Sequence, residues 1–170
     1  MAKNDLSVIG RNARVDFGKR AIDVPAKIDT GADSSAVWAS NIRVDKSGVL
    51  KFSLFGEGSR YYNGKVFKRT DYSAAVVKSS SGHREVRYRT HFTVRIGGKK
   101  IRALFNLSER SLHEYPVLIG RRTLSGKFLV DVSKGDFGLS RSDATTSLNE
   151  ELVKNPRKFY RKYHKKEEEK

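Results

Sequence analysis

A long alternating stretch at residues 84–98 constrains the fold more than any other part of the chain. Its sequence, REVRYRTHFTVRIGG, places apolar and polar side chains on opposite faces of one strand. The apolar face carries Val86, Tyr88, Thr90, Phe92, Val94 and Ile96. The other face, which suits a solvated sheet surface, carries Arg87, Arg89, His91, Thr93 and Arg95. Gly97 and Gly98 then provide a turn into the apolar run 101–107, so we predict a hairpin over 85–107.

Most of residues 1–140 is typical of strands separated by glycine turns. Short apolar or alternating runs occupy 13–17, 21–28, 49–56 and 71–78. The pattern at 116–132 predicts a strand, a glycine, a short helical turn and a second strand. Because helical periodicity is scarce here, the sequence predicts an all-β fold, either a barrel or a sandwich.

The character of the chain changes after Leu139, and we predict a domain over 1–140 followed by a basic extension over 141–170. Ser147 and Glu150 have the spacing of a capping box, which predicts a helix from about residue 148. Pro156 is expected to interrupt or restart that helix. The final lysines and glutamates are expected to fray into solvent.

The composition is strongly basic and lacks cysteine. The 170 residues include 35 Lys and Arg against 19 Asp and Glu, for a net charge of +16. A field of this sign attracts polyanions, which include nucleic acids and acidic protein tails. The absence of cysteine excludes disulfides, thiol catalysis and thiolate metal sites, and a cytoplasmic location is expected. No apolar stretch approaches the roughly 18 residues that cross a membrane, and the N-terminal residues predict no secretory signal.

The apolar run at 22–28 ends on Asp29-Thr30-Gly31, an unusual end for a buried strand. An ordinary turn is one interpretation, because Asp and Gly are common turn residues. A catalytic aspartate is the other. Hydrolysis of a peptide bond by carboxylates needs two of them, one to take a proton from water and one to polarise the carbonyl. Since the chain contains a single such triplet, a carboxylate pair requires a symmetric homodimer in which Asp29 of each protomer meets at the two-fold axis.

Two motifs give the chain a specific resemblance. The sequence IDTGADSSAV at 28–37 resembles the active-site motif of retropepsin-like aspartic proteases, and VLIGRRTL at 117–124 is similar to their second motif. Residues 78–131 are similar to the bacterial and archaeal family called putative ATP-dependent zinc proteases. That retropepsin-like group is often found alongside glutamate ligases that modify ribosomal protein tails. The resemblance covers roughly 10–140 and implies a retropepsin-like acid-protease barrel with one short helix after the Ile-Gly-Arg motif.

The resemblance also implies the catalytic positions. Asp29 would be the catalytic carboxylate, Thr30 the hydroxyl that locks the loop to its partner, and Gly31 the point of close backbone approach. The glycine-bearing segment 55–67 is either a mobile hairpin over the site or an ordinary surface loop.

Supporting positions are implied in the same way. Ala32 belongs to the catalytic loop, and Ile119 and Gly120 would pack beneath it. Asp33 and Arg121 are predicted to form an ion pair that braces the site.

A basic cluster at the start of the long strand is a candidate for binding an acidic substrate, with a solvated strand face as the alternative. The candidates are Ser81, His83, Arg84, Arg87 and Arg89. His83 and Glu85 would share a strand face and are a weak candidate for a metal site, but no metal-binding motif or phosphate-binding loop accompanies them. We therefore expect neither a metal nor a cofactor.

The leading hypothesis is a homodimeric aspartic peptidase that acts on a peptide or on an acidic, glutamate-rich protein tail, with no membrane partner. The rival is a non-catalytic module on the same fold that binds RNA or another polyanion. Residues 156–166 interleave aromatic and basic side chains, as proteins that bind single-stranded nucleic acid do. The preferred interpretation of this segment is a basic amphipathic helix docked by Phe159, Tyr160 and Tyr163. A metallopeptidase is a third possibility. The aspartic peptidase predicts activity that requires Asp29, and the binding module predicts affinity that falls steeply with salt. The metallopeptidase predicts activity that a chelator removes.

Overall fold

The computed structural model describes residues 5–78, 82–135 and 143–164. The chain divides into two compact units, residues 1–135 and 136–170. The strands of the first unit are β1 (Ser7–Ile9), β2 (Asn12–Asp16), β3 (Val24–Asp29), β4 (Ser35–Val44), β5 (Leu50–Leu54), β6 (Val66–Arg69), β7 (Ser73–Lys78), β8 (Arg84–Ile96), β9 (Lys99–Ser108), β10 (Val117–Gly120) and β11 (Phe128–Val130). The helices are α1 (Arg121–Leu124) in the first unit, and α2 (Asp143–Lys154) and α3 (Pro156–His164) in the second.

Six strands of the large sheet close into a hydrogen-bonded ring, in the order β10, β3, β2, β8, β9 and β4. The pairing of β10 with both β3 and β4 completes the ring. Strands β5 and β6 continue outward from β4, β7 pairs with β8, and β1 forms a separate parallel pair with β11. The core contains an aromatic cluster that includes Phe17, Phe52, Phe55, Phe67, Phe92 and Phe105. The first unit is therefore mostly β, as the sequence predicted.

The predicted hairpin is present, with β8 and β9 paired antiparallel from Arg89 opposite Asn106 to Ile96 opposite Lys99. The apolar face of β8 is buried only from Thr90 onward, and Val86 is 69% exposed. The reason is that residues 84–88 extend past β9 and pair with β7 instead. The opposite face was expected to be solvated, but its arginines at 87 and 89 are half-buried.

Strand β4 was not predicted, although it is one of the six strands of the ring and pairs with both β9 and β10. Its first half consists of small or apolar residues that are almost all buried, so it has no alternation to detect. The short helix expected after the Ile-Gly-Arg motif is present as α1.

In the second unit, the prediction of a helix that begins near residue 148 is wrong, because α2 begins at Asp143. Ser147 consequently lies within the helix, where the Ser-x-x-Glu spacing carries no capping function. The restart at Pro156 is confirmed: Pro occupies the first helical position of α3, and the Asn155 side chain accepts a hydrogen bond from the backbone N–H of Lys158 at 3.0 Å. None of the helices in the described ranges is long and apolar enough to cross a membrane.

Candidate active site

The two sequence motifs meet at the ends of neighbouring parallel strands. Strand β3 pairs with β10 so that Ile28 lies opposite Ile119 and Asp29 lies opposite Gly120. Ile119 is fully buried and holds the end of β10 in the core beneath the loop, as expected. The ring topology thus brings together two segments that are about ninety residues apart in the chain.

The Asp29 carboxylate is oriented by its own loop. Its Oδ1 accepts hydrogen bonds from the backbone N–H groups of Gly31 at 3.1 Å and Ala32 at 3.0 Å. The side chain of Asp29 is half-buried and Thr30 is exposed. Within the described part of the protomer, the Thr30 hydroxyl and Asp29 Oδ2 make no hydrogen bond. One carboxylate oxygen is therefore fixed and the other is available for chemistry.

Gly120, rather than Gly31, is the glycine that the protomer's packing requires. A Cβ on Gly31 would meet only Asp29 Oδ1, at an ordinary 3.4 Å. A Cβ on Gly120 would lie 2.6 Å from both the carbonyl carbon and the oxygen of Ser34, and 2.9 Å from the oxygen of Ala32. Close backbone approach inside one protomer therefore occurs where β10 passes under the Asp29 loop.

Hydrogen bonds from β10 and α1 hold the loop from below. The backbone N–H of Arg121 donates to the Ala32 carbonyl at 2.8 Å. The buried Ser35 hydroxyl accepts the Gly120 N–H at 3.1 Å and lies 2.7 Å from the Thr123 hydroxyl. Each donor or acceptor in this set belongs to one of the two motifs, so the motifs form one hydrogen-bonded unit.

Asp33 forms the ion pair that the sequence predicted. Arg121 Nε lies 3.2 Å from Asp33 Oδ1, and a second pair, which the sequence analysis missed, joins Arg122 to Asp33 Oδ2 at 2.9 Å. All three side chains are substantially exposed, so the pairs contribute little to stability. They do neutralise the charge of the Asp33 carboxylate.

A cavity of about 490 Å³ opens beside the loop. One wall is the loop itself and the other is the hairpin of β7 and β8. The lining residues are Gly31, Ala32, Asp33, Ser34, Ala36, Ala75, Val76, Val77, Lys78, Arg87, Arg89, Asn106, Arg110, Leu118 and Arg122. Five of these side chains are basic and one is acidic, so the cavity favours an anionic ligand.

The predicted substrate-binding residues divide into three groups. Arg87 and Arg89 line the cavity, as a substrate-binding role requires. His83 and Arg84 are exposed and are not among its lining residues, so the structure does not bring them to the site. Ser81 lies outside the described residues.

The hypothesis that 55–67 is a hairpin over the site is wrong. Its contacts run to another part of the unit: the Tyr61 hydroxyl donates to the Asp23 carbonyl and the Asn63 side chain donates to the Arg20 carbonyl. The wall that faces the loop is formed by residues 75–78 of β7 and by Arg87 and Arg89 of β8.

Asn106 and Arg110 are the cavity residues that the sequence analysis missed. Both are almost fully buried, and burial together with the positive charge of Arg87 lowers the pKa of Arg110. Asn106 interrupts the apolar run 101–107, and a polar residue within a buried strand was the signal that could have identified it.

Among the described residues there is no group of three or more His, Asp or Glu side chains that could hold a metal ion. The pair His83 and Glu85, weighed above as a weak metal site, has no third ligand in this part of the chain. Glu85 instead accepts two hydrogen bonds from Arg87, at 3.0 and 2.8 Å.

Several known proteins are similar to this chain. The chain is 31% identical over 120 residues to proteins of Shewanella pealeana and Shewanella halifaxensis, each named "Probable alpha-L-glutamate ligase". The alignment covers 67% of this chain but only 26% of those relatives, so the chain spans about a quarter of their length. A solved structure of a Legionella pneumophila protein of unknown function superimposes with a TM-score of 0.59 at 23% identity, over 75% of this chain and 95% of that one, and shares the fold.

The sequence model of the RimB-like family, described as "Retropepsin-like aspartic endopeptidase RimB", matches residues 8–137. That range includes the Asp29 loop, both arginines that pair with Asp33, and the whole of the basic cavity. The chain therefore belongs to the RimB-like family of retropepsin-like proteins.

Proposed function

We propose that this protein is an aspartic peptidase whose catalytic group is a pair of Asp29 carboxylates, one from each protomer of a homodimer. The observation that carries the proposal is the Asp29 side chain, which has one oxygen fixed by two backbone N–H groups and the other unoccupied by any described group of the protomer. The RimB-like family match supports the assignment.

The chemistry of the site requires the second carboxylate to come from another copy of the chain. Asp33 lies in the same loop, but two guanidinium groups engage it, so it is not available as a catalytic acid. The exposed Thr30 hydroxyl next to Asp29 suits a contact across a two-fold axis.

The proposed reaction is the addition of water to a peptide carbonyl. One carboxylate takes a proton from the water as its oxygen bonds to the carbonyl carbon, and the other carboxylic acid gives its proton to the carbonyl oxygen. The C–N bond then breaks as the amide nitrogen takes up a proton, which leaves a carboxylic acid and an amine.

For the substrate we propose an acidic, glutamate-rich protein tail. The cavity beside the loop is lined by five basic side chains, and the whole chain carries a net charge of +16. The names of the Shewanella relatives add support, because a region similar to this chain forms part of proteins named as glutamate ligases.

The test compares wild type with Asp29→Asn on acidic and neutral peptides, with products identified by mass spectrometry. Asp71→Asn is the matched control, because Asp71 is 84% exposed and lies outside the cavity lining. We expect cleavage by wild type and by the control, no cleavage by Asp29→Asn, and no effect of a chelator. Cleavage by Asp29→Asn would contradict the aspartic mechanism, and cleavage lost to chelator would indicate a metallopeptidase.

A mixing experiment tests the shared site directly. Wild type and Asp29→Asn are mixed in equal amounts and allowed to exchange subunits. If each active site needs Asp29 from both protomers, only wild-type homodimers are active, and the mixture has about a quarter of the activity of the same total amount of wild type. If each protomer had a self-sufficient site, the mixture would have about half of that activity. Salt-sensitive binding of RNA without any cleavage would favour the polyanion-binding alternative instead.

A further inference from the structure

Arg110 carries a buried positive charge for which the described residues provide no acidic partner. The side chain is 8% exposed, and its Nε donates to the Tyr115 carbonyl at 3.1 Å. None of the ion pairs formed among residues 5–78, 82–135 and 143–164 includes Arg110, and its terminal nitrogens make no hydrogen bond there. A buried charge is costly unless it is paired, so an anionic ligand bound in the cavity would stabilise Arg110.

Two further groups face the same cavity with unused hydrogen-bonding capacity. Asn106 is 5% exposed, and its buried Oδ1 has no hydrogen-bond partner within the part of the chain that the structure describes. Arg89 lies directly opposite Asn106 in the β8–β9 pairing, and among the described residues only its Nε is engaged, by the Ser73 hydroxyl at 2.8 Å. The two arginines and the amide belong to one end of one hairpin and the turn that follows it.

Two of the other positive charges on the cavity wall are already compensated. Arg87 is bound by Glu85 at 2.8 Å, and Arg122 is bound by Asp33 at 2.9 Å. Among the described residues, Arg89, Arg110 and Lys78 therefore carry the unmatched positive charge of the cavity, and Arg110 is the most deeply buried of the three.

The combination of groups favours an acidic amino-acid residue within a peptide over a bare inorganic anion. Two guanidinium groups match a carboxylate, and the Asn106 amide on the cavity wall can exchange hydrogen bonds with a peptide backbone. The apolar side chains of Ala36, Ala75 and Leu118 provide contacts for a methylene stem between the carboxylate and the backbone.

We infer that Arg110, Arg89 and Asn106 form a subsite that binds one acidic residue of a peptide beside the Asp29 loop, with Arg110 as the residue that determines specificity for the carboxylate. This inference rests on the proposed peptidase function, since it assigns the subsite to the substrate of that site. Its binding test, however, does not require catalysis.

The test measures binding of N-acetylated pentaglutamate and pentaglutamine to full-length protein that carries Asp29→Asn, by isothermal titration calorimetry. Into this background we introduce Arg110→Gln, or Arg95→Gln as the matched control. Arg95 lies at the far end of β8, is exposed and is absent from the cavity lining. Both substitutions remove one positive charge, so the comparison cancels the general attraction of a basic protein for a polyanion.

We expect Arg110→Gln to weaken pentaglutamate binding by about tenfold or more and to leave pentaglutamine binding unchanged. Arg95→Gln is expected to change both by no more than about twofold. The inference would be overturned if Arg110→Gln and Arg95→Gln weakened pentaglutamate binding equally. It would also be overturned if Arg110→Gln weakened the binding of pentaglutamate and pentaglutamine equally.

Asn106→Asp provides a second variant whose result a folding defect cannot mimic. The new carboxylate is nearly isosteric with the amide and would pair with the unmatched arginines of the cavity. It would therefore take the place of the carboxylate of a bound peptide. We expect loss of pentaglutamate binding together with a higher unfolding temperature. Retained binding, or loss of binding with a lower unfolding temperature, would count against the subsite.

The outcomes separate the subsite from the peptidase proposal. Arg110-dependent binding by a protein whose wild type cleaves nothing would retain the subsite and reject the peptidase. The opposite outcome has two parts: wild type cleaves peptides, and an Arg110→Gln variant that retains Asp29 keeps the wild-type preference for glutamate over glutamine. That outcome would support the peptidase proposal and reject the subsite.

Discussion

The substitution Gly120→Ala tests how tightly β10 is packed beneath the Asp29 loop. The backbone of Gly120 has φ −86° and ψ 169°, a conformation that alanine adopts without strain. The effect of the substitution must therefore come from the added methyl group, which would lie 2.6 Å from the carbonyl carbon and oxygen of Ser34. Those atoms are backbone, so no side chain can rotate to make room.

The size of the effect follows from these distances. To reach an ordinary contact of 3.4 Å, the two backbones must separate by about 0.8 Å. Overpacking of this kind costs about 1–3 kcal/mol, and weakening of the hydrogen bond from the Gly120 N–H to Ser35 adds about 1 kcal/mol. We expect the free energy of unfolding to fall by about 2–4 kcal/mol. A displacement near 1 Å at a catalytic loop can lower the rate on the order of a hundredfold.

Urea unfolding measures the stability, and hydrolysis of acidic peptides by the folded variant measures the activity. Gly126→Ala is the control in the turn after α1, because Gly126 has φ +69° and open space around its Cβ position. It is expected to lose about 1 kcal/mol through backbone strain and to retain activity. A loss below about 1 kcal/mol in Gly120→Ala, or full activity in it, would refute the argument that this close approach positions the loop.

Two other substitutions test single contacts. Ser35→Ala removes the hydroxyl that accepts the Gly120 N–H at 3.1 Å and leaves that buried donor unsatisfied. We expect urea unfolding to show a loss of about 2–3 kcal/mol, and a loss under about 1 kcal/mol would contradict the bond's importance. Asp45→Asn removes the ion pair between Asp45 and Lys51, which are 2.8 Å apart. The hydrogen bond from Lys51 is the main cause of the lowered pKa of Asp45. Because the folded pKa lies below the ordinary value of 3.8, the carboxylate stabilises the fold above that pH and ceases to do so as pH falls through the folded pKa. Thermal unfolding from pH 7 into acid should therefore show the variant less stable near neutrality, with a difference that shrinks as the pH falls below 3.8, whereas a pH-independent difference would refute the assignment.

The parts of the fold that could be predicted are those whose signal is local. Strands β8 and β9 have alternating side chains and a glycine turn, and both lie where the sequence placed them. Strand β4 has no such signal. It is buried against neighbours on both sides, so small residues such as Ala36 and Ala39 are selected by close packing rather than by the alternation of a half-buried strand.

The same distinction applies to the site. Asp29 and Gly120 belong to compact motifs, so each could be identified from a few consecutive residues, and the ring topology then places them opposite each other. Arg110 is one of 35 basic residues, and nothing in its immediate sequence sets it apart. Its significance lies in its burial and in the absence of an acidic partner in the described structure, which only the packing of the turn after β9 reveals.

The contacts of the loop also explain why Asp29→Asn is a clean test of chemistry. The loop is held by the Ser35 hydroxyl, by the N–H of Arg121 and by the close passage of Gly120, and none of these contacts involves the Asp29 carboxylate. Asp29 Oδ1 accepts two backbone N–H groups, and an asparagine amide oxygen can accept the same two. The substitution therefore preserves the loop while it removes a group that can take or give a proton at the position of Oδ2. Loss of hydrolysis in Asp29→Asn with an unchanged unfolding temperature would consequently report the reaction itself, whereas loss of hydrolysis in Gly120→Ala reports the position of the loop.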